Sequence, residues 1–495
     1  MRILESTRSD YRIDDVGAVL TGIAPDGGLF ADPELEKRSV PVDEAAGKGS
    51  YETAARILRE MLPGFDDPEK LVRDAYDGKF SCGEVITPLK QIREDRYILE
   101  LFHGPTSAFK DVALSLLPHL MAQARQKKEQ EKEIVILTAT SGDTGKAALE
   151  GFRDVPGIRI MVFYPAEGVS EVQRKQMVSQ QGGNVRVCAV RGNFDDCQSA
   201  VKKAFGELRG PALSENVILS SANSINIGRL VPQIFYYYSA YTQLLERGRI
   251  RIGDRVDFVV PTGNFGDILA GYYAKKIGLP VGKLICASNA NRILTDFFSS
   301  AVYDLHRPFY LTSSPSMDIL ISSNLERLLY HVFGNDHGMV SQAMKELSEK
   351  KEYRISGEMM KRIREDFGAY SADEAETEEM IRLVYRDHGY LMDPHTAVGW
   401  SAAQKYEKGR EGRNPVVVLS TASPYKFIPA EMRALGIAPS GDPFADMRKL
   451  KQVTGAEIPK NLLDLETATE RFSDVIDKDE ITGYVRRYIG QRSGK

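Results

Sequence analysis

Val256-Asp257-Phe258-Val259-Val260, followed by Pro261-Thr262-Gly263-Asn264-Phe265-Gly266-Asp267 and then Ile268-Leu269-Ala270-Gly271, decide the reading of this chain. The first segment is short, apolar and rich in β-branched residues, as a strand buried in a parallel sheet requires. The last begins a helix over 268–277 that Gly278 and Pro280 close. Between them Gly263 and Gly266 bracket Asn264 and Phe265. Glycines permit close backbone approach and a helix start offers free N–H groups, so this turn suits a phosphate. The same spacing also suits a plain tight turn with Asp267 as the helix N-cap.

The strand–loop–helix unit recurs on either side. Ile134–Thr138 is a buried strand, and Thr140-Ser141-Gly142-Asp143-Thr144-Gly145 leads into a helix to about Phe152. This loop, continued by Lys146, is similar to a nucleotide-triphosphate loop. It lacks the first glycine, replaced by Thr140, and has Ala147 where a hydroxyl should hold magnesium. What remains either binds a carboxylate or phosphate or merely caps the helix. Strands are expected at 158–164, 185–190 and 217–219, with helices at 171–180 and 194–205 between them. A long aromatic-rich helix is expected over 223–245, with Asn226 and Arg229 three residues apart on one face. Arg229 can clamp an anion with two hydrogen bonds. Further strands follow at 283–287 and 416–419, the second running into Ser420-Thr421-Ala422-Ser423. Those hydroxyls either bond a ring nitrogen or turn the chain. Strands alternating with helices predict an α/β domain whose ligands gather at the carboxyl ends of the strands.

Upstream, a strand over 97–102 enters Leu101-Phe102-His103-Gly104-Pro105-Thr106-Ser107-Ala108-Phe109-Lys110-Asp111. Gly104 and Pro105 signal a turn, and the apolar run Val112–Leu117 begins a helix at the lysine. An amine at such a junction, once desolvated, serves as nucleophile or base. Residues 1–95 read as helices and turns, with a helix over 51–61 ended by Pro63 and Gly64. Residues 290–409 read as mainly helical, with Ser371 and Glu374 as a capping box.

With 495 residues the chain exceeds one core, and two or three domains are expected. A net charge of −4 argues against nucleic acid or an anionic membrane as partner. Cys82, Cys188, Cys197 and Cys286 are scattered, with neither a zinc spacing nor a disulfide framework, which fits a reduced, cytoplasmic setting. No histidine spacing suggests a catalytic metal, no G-x-S-x-G elbow is present, and no run reaches the roughly 18 apolar residues of a membrane span. The N-terminus carries no apolar core of signal-peptide length.

A lysine at a loop–helix junction, a glycine turn and a late Ser/Thr loop together suggest pyridoxal phosphate. The chain resembles the threonine synthase family. The resemblance rests on Phe102–Asp111, Ala139–Gly145, Asn223–Asn226, Pro261–Asp267, Ser316–Leu320 and Asp393–Gly399, and also takes in the early Ala24–Leu29 stretch. It is similar to the longer, enterobacterial and fungal branch. The resemblance implies an α/β fold of the type II pyridoxal-phosphate class, like the tryptophan synthase β chain, with mostly parallel sheets flanked by helices. It implies a helical N-terminal domain over 1–95 and a core over 96–289 with 410–430, within which 130–220 is a smaller mobile subdomain. A helical insertion over 290–409 and a C-terminal helical segment over 431–495 complete it. Lys110 would be the catalytic residue and covalent anchor of pyridoxal 5'-phosphate. Gly263, Asn264, Phe265, Gly266 and Asp267 would hold its phosphate, and Thr421 would face its ring nitrogen. Asp143 stands where related enzymes often place Asn near the cofactor's 3'-oxygen, although a carboxylate there would repel a phenolate. Ser141, Thr144, Asn226 and Arg229 would bind the substrate's carboxylate and phosphate. The implied reaction converts O-phospho-L-homoserine and water to L-threonine and phosphate, in a cytoplasmic monomer or homodimer. Alternatives are a phospho-lyase releasing 2-oxobutanoate and a catalytically silent binding protein on the same scaffold.

Overall fold

Two mostly parallel sheets carry the chain, and their strands are the apolar runs of the sequence. The central strands are short, rich in β-branched residues and buried on both faces, which is how a parallel sheet satisfies its two buried surfaces. The computed structural model describes residues 1–490 apart from 168, 209–215 and 411. The expected residues 209–215 of the small subdomain and 491–495 of the C-terminal segment therefore lie outside the described residues.

The larger sheet has six strands in the order Phe367–Ser371, Val281–Ser288, Val256–Pro261, Val416–Ser420, Arg96–Glu100 and Leu89–Arg93. All neighbours are parallel except the last pair. Register sets Val259 beside Val418, and Val418 beside Ile98, so three central strands end level with one another. The smaller sheet is wholly parallel: Val475–Asp477, Val185–Arg191, Ile158–Pro165, Glu133–Ala139 and Val217–Ser220. One continuous apolar core links the N-terminal residues, the large sheet and one face of the small sheet.

Several expectations need correction. Residues 1–95 are not purely helical. Ile3–Ser6, Arg12–Asp14 and Phe30–Ala31 form an antiparallel sheet, and Leu89–Arg93 joins the edge of the large one. The stretch 290–409 contains Phe367–Ser371, an edge strand of the same sheet, and the buried helix Pro394–Gly409 that covers that sheet. The C-terminal segment supplies a strand, Val475–Asp477, to the small sheet, and its helix Ile481–Gly490 packs on the helix Phe194–Glu207. These strands are two to five residues long, too short for a period-2 pattern to show. The capping box is Asp373 with Glu376, because Ser371 is still in the strand. The expected long helix after Asn223 is broken into Ile227–Leu230, a tighter turn over Val231–Gln233, and Ile234–Glu246, with Pro232 at the break. Among the described residues no helix is long and apolar enough to cross a membrane.

Candidate active site

Three adjacent strands of the large sheet deliver three different loops to one place. Val256–Pro261 ends in the glycine turn, Val416–Ser420 in Thr421, and Arg96–Glu100 in the lysine loop. Glu133–Ala139 of the small sheet brings Ser141 and Thr144 from the other side. A cavity of about 200 Å³ lies between, lined by Lys110, residues 263–267, Thr421, Ser141, Thr144 and Arg229.

Lys110 is the first residue of the helix Lys110–Lys127 and is buried. The backbone behind it is pinned. Phe109 N donates to the Thr421 carbonyl at 2.8 Å, Ala108 bridges Ala422, and Tyr236 Oη donates to the Phe109 carbonyl at 2.5 Å. Lys110 Nζ stands 3.9 Å from Asp143 Oδ2 and 3.5 Å from Ser316 Oγ. Burial brings its pKa down to about 8, opposed by Asp143 and aided by Arg229 and Lys426. At pH 7.5 roughly a quarter of such amines are neutral, against about one in a thousand for an ordinary lysine. The neutral amine is the form that attacks carbonyls and takes protons.

The glycine turn is tightly determined. A Cβ on Gly263 would lie 2.3 Å from the Ser316 carbonyl oxygen, so only glycine fits. Phe265 adopts the left-handed region at φ 63°, which for a residue with a side chain costs of order 1–3 kcal/mol. Its buried ring, 5.8 Å from that of Phe367 and 6.3 Å from that of Phe298, holds it there. The helix Gly266–Lys276 begins immediately after, and its first N–H groups, lacking intrahelical acceptors, open at the cavity. Asp267 is not the N-cap. It lies within the first turn, where Oδ1 accepts from Tyr237 Oη at 3.1 Å and the buried Oδ2 has no partner. Burial pushes its carboxyl up to about 7.

Arg229 is buried and donates from Nη1 to the Ala222 carbonyl at 2.7 Å, while Nε is unpartnered. Among the described residues no carboxylate offsets its desolvation, which lowers its pKa to about 10. A buried guanidinium without a counter-ion is costly and calls for an anionic ligand. The glycine turn, the open helix start and Arg229, which has no ion pair among the described residues, together fit a small molecule with anionic groups beside a desolvated amine.

Two expected site residues sit differently. Asn226 does not line the cavity. Its Oδ1 accepts from Gly228 N at 2.8 Å and its Nδ2 donates to the Val19 carbonyl at 2.9 Å, so it caps a helix and ties down the N-terminal residues. Asp143 is near Lys110, but its carboxylate is already engaged: Lys426 Nζ lies 2.5 Å from Oδ1, and Gln173 Nε2 donates to it at 2.8 Å. Lys426 holds Asp143 well below the ordinary carboxylate range against the effect of burial.

Sequence reasoning missed Lys426, Gln173 and the role of His395. His395 lines the cavity, accepts on Nε2 from Ser316 N at 3.2 Å, and pairs through Nδ1 with Asp393 Oδ1 at 2.7 Å. A backbone N–H can only donate, so Nδ1 carries the proton. The spacing Asp393-Pro394-His395 was the available signal for that pair; Lys426 had none.

Comparisons with known proteins agree with this geometry. Residues 84–422 match the family model described as pyridoxal-phosphate dependent enzyme, and 396–489 match threonine synthase, C-terminal. The chain is 41% identical over 435 residues to threonine synthase-like 1 of Macaca fascicularis, covering 85% of this chain and 58% of that protein. It is 40% identical over 445 residues to the threonine synthase of Pseudomonas aeruginosa, covering 89% of this chain and 92% of the other. The crystal structure of a pyridoxal-phosphate-bound threonine synthase from Brucella melitensis superposes with a TM-score of 0.87 at 37% identity, covering 100% of both chains. The chain thus spans a little over half the length of the threonine synthase-like 1 relatives it matches. On sequence and fold, it belongs to the threonine synthase family of pyridoxal-phosphate dependent enzymes.

Proposed function

We propose that this protein is a threonine synthase, converting O-phospho-L-homoserine and water to L-threonine and phosphate. The observation that carries the reading is Lys110: a buried amine, with its pKa brought down to about 8, opening on the same cavity as a glycine-only turn and an unpaired guanidinium. In this reading Gly263, Asn264, Phe265, Gly266 and Asp267 hold the cofactor phosphate, and Thr421 faces the ring nitrogen. Bound pyridoxal phosphate supplies an aldehyde that links to amines and a ring that withdraws electrons from the attached carbon.

The chain's own groups do the rest. Lys110, released when the substrate amine takes its place, removes the Cα proton and holds it at Nζ. A β proton is taken next and phosphate departs from Cγ, carrying one proton away with it; one proton is delivered to Cγ, the hydroxyl of water adds at Cβ, and the last proton is restored at Cα to complete threonine. Ser141 and Thr144 bind the substrate carboxylate, and Arg229 takes the phosphate. The carboxylate is then hydrogen-bonded by neutral donors and the phosphate is met by a guanidinium out of water, where such bonds are strongest. Thr421 would offer the ring nitrogen a neutral hydroxyl instead of a charged partner. The lobe built on the small sheet closes over the substrate as a mobile subdomain. The chain works in the cytoplasm as a monomer or homodimer.

The test is product analysis. Purified protein incubated with O-phospho-L-homoserine should release L-threonine and phosphate in equal amounts. Release of 2-oxobutanoate instead would identify a phospho-lyase, and no product would leave a silent binding protein.

A further inference from the structure

The buried pair of Asp143 and Lys426 has no place in the reaction above. It joins the two lobes. Asp143 opens the helix Asp143–Gly151 after a strand of the small sheet, and Lys426 ends a tight turn, Pro424–Lys426, after the last strand of the large sheet. Both side chains are almost wholly buried, at 2% and 0% exposure. Lys426 Nζ also donates to the Thr106 carbonyl at 3.1 Å, in the lysine loop. The small-lobe helix Glu171–Val178 completes the clasp. Ser170 Oγ donates to the Lys426 carbonyl at 3.1 Å, Gln173 to Asp143 at 2.8 Å, and Gln176 to the Thr106 carbonyl at 3.2 Å. The far oxygen of Asp143 faces Lys110 at 3.9 Å.

A bare carboxylate 3.9 Å from the Lys110 amine would hold that amine protonated. Paired with a cation on its other oxygen, it presents little net charge to the site, while its oxygen still orients a neighbour's proton.

We propose that Lys426 is a positioning residue acting through Asp143: by neutralising that carboxylate across the lobe interface, it lets Asp143 stand 3.9 Å from the Lys110 amine without holding the amine protonated. The proposal rests on the threonine synthase reading and adds a residue to it.

The test uses the full chain loaded with pyridoxal 5'-phosphate, following the absorbance band at about 410–420 nm as pH is varied. Lys426→Met leaves a negative charge near the bound group, so the spectral midpoint should rise by about one pH unit or more and the cofactor Kd by roughly tenfold. Asp143→Asn leaves a positive charge, so the midpoint should fall. The double variant removes both and should return to within about 0.3 unit of wild type. Lys426→Arg keeps the charge and should hold the midpoint even if Lys426→Met fails to fold. A merely structural pair would lower the melting temperature and leave the midpoint in place. An unmoved midpoint in Asp143→Asn, or single variants that shift in the same direction, would overturn the proposal. A wild-type chain that forms no band would overturn the functional reading and this proposal with it; a band indifferent to Lys426 would overturn the proposal alone.

Discussion

Asp143 and Asp267 are the same residue in nearly the same setting, yet one is held as a carboxylate and the other is pushed toward the neutral acid. Each is buried in the first turn of a helix that follows a parallel strand. Asp143 meets Lys426 at 2.5 Å and stays ionised well below the usual range. Asp267 meets only a tyrosine hydroxyl, has one oxygen without a partner, and is pushed up to about 7. Desolvation acts on both in the same direction, and the difference is one ammonium group from a distant part of the chain. Residue type and local position therefore do not set the charge of a buried acid; its partner does. Lys110 is influenced by both carboxylates, and its amine is the place where their contrast becomes chemistry.

The largest effect should come from removing that amine. Lys110→Ala should lower L-threonine formation by at least about 10³-fold, as loss of a nucleophile and base does. Turnover near the wild-type rate would show that the two carboxylates act on something else.

Next comes the contrast itself. Asp143→Asn strands the Lys426 ammonium and should destabilise the cofactor-free protein by about 3–5 kcal/mol in denaturant melts. Asp267→Asn removes an acid with no ionic partner and should cost little at pH 5. The pH dependences should differ in kind. The carboxyl of Asp267 rises from 3.8 in the unfolded chain to about 7 in the folded one. The folded chain therefore binds the extra proton between those values, and stability is lost as pH rises through them. Relative to Asp267→Asn, the wild type should lose up to about 4 kcal/mol from pH 4 to pH 7. For Asp143 the folded value is lowered from 3.8, so its stabilisation is complete above that value and fades as pH falls below it. The wild type's margin over Asp143→Asn should be flat from pH 5 to 8. Two margins sloping alike would break the comparison.

The smallest effect concerns Asn226. Loss of its cap and of its bond to the Val19 carbonyl in Asn226→Ala should cost about 1–3 kcal/mol of stability. The substrate KM should be unchanged; a tenfold rise would return Asn226 to the anion site.

Much of this was legible in the order of residues. Val256–Pro261, Glu133–Ala139 and Val416–Ser420 are strands because β-branched apolar runs have no other economical burial, and each polar loop after them reaches the cavity. The lysine junction and the glycine turn follow from local signals of two to five residues. The edge strands Phe367–Ser371 and Val475–Asp477 were not legible, because they exist only by pairing with Val281–Ser288 and Val185–Arg191, formed elsewhere in the chain. Asn226 and Arg229 show the limit within the site. Helical spacing would put them on one face, but Asn226 is the extended cap before the helix Ile227–Leu230 and turns to the Val19 carbonyl, while Arg229 within that helix has no ion pair among the described residues.

By itself the sequence determined the α/β alternation, the loops that carry chemistry and the family, because hydrophobic period, turn chemistry and motif are local properties of the chain. Only the tertiary structure decided which carboxylate is charged, which amine is reactive and which asparagine merely caps. Those depend on desolvation and on partners such as Lys426, which stands 283 positions after the acid it neutralises. Short-range electrostatics in a dry interior answers to distance in space, and no local reading of the chain contains that distance.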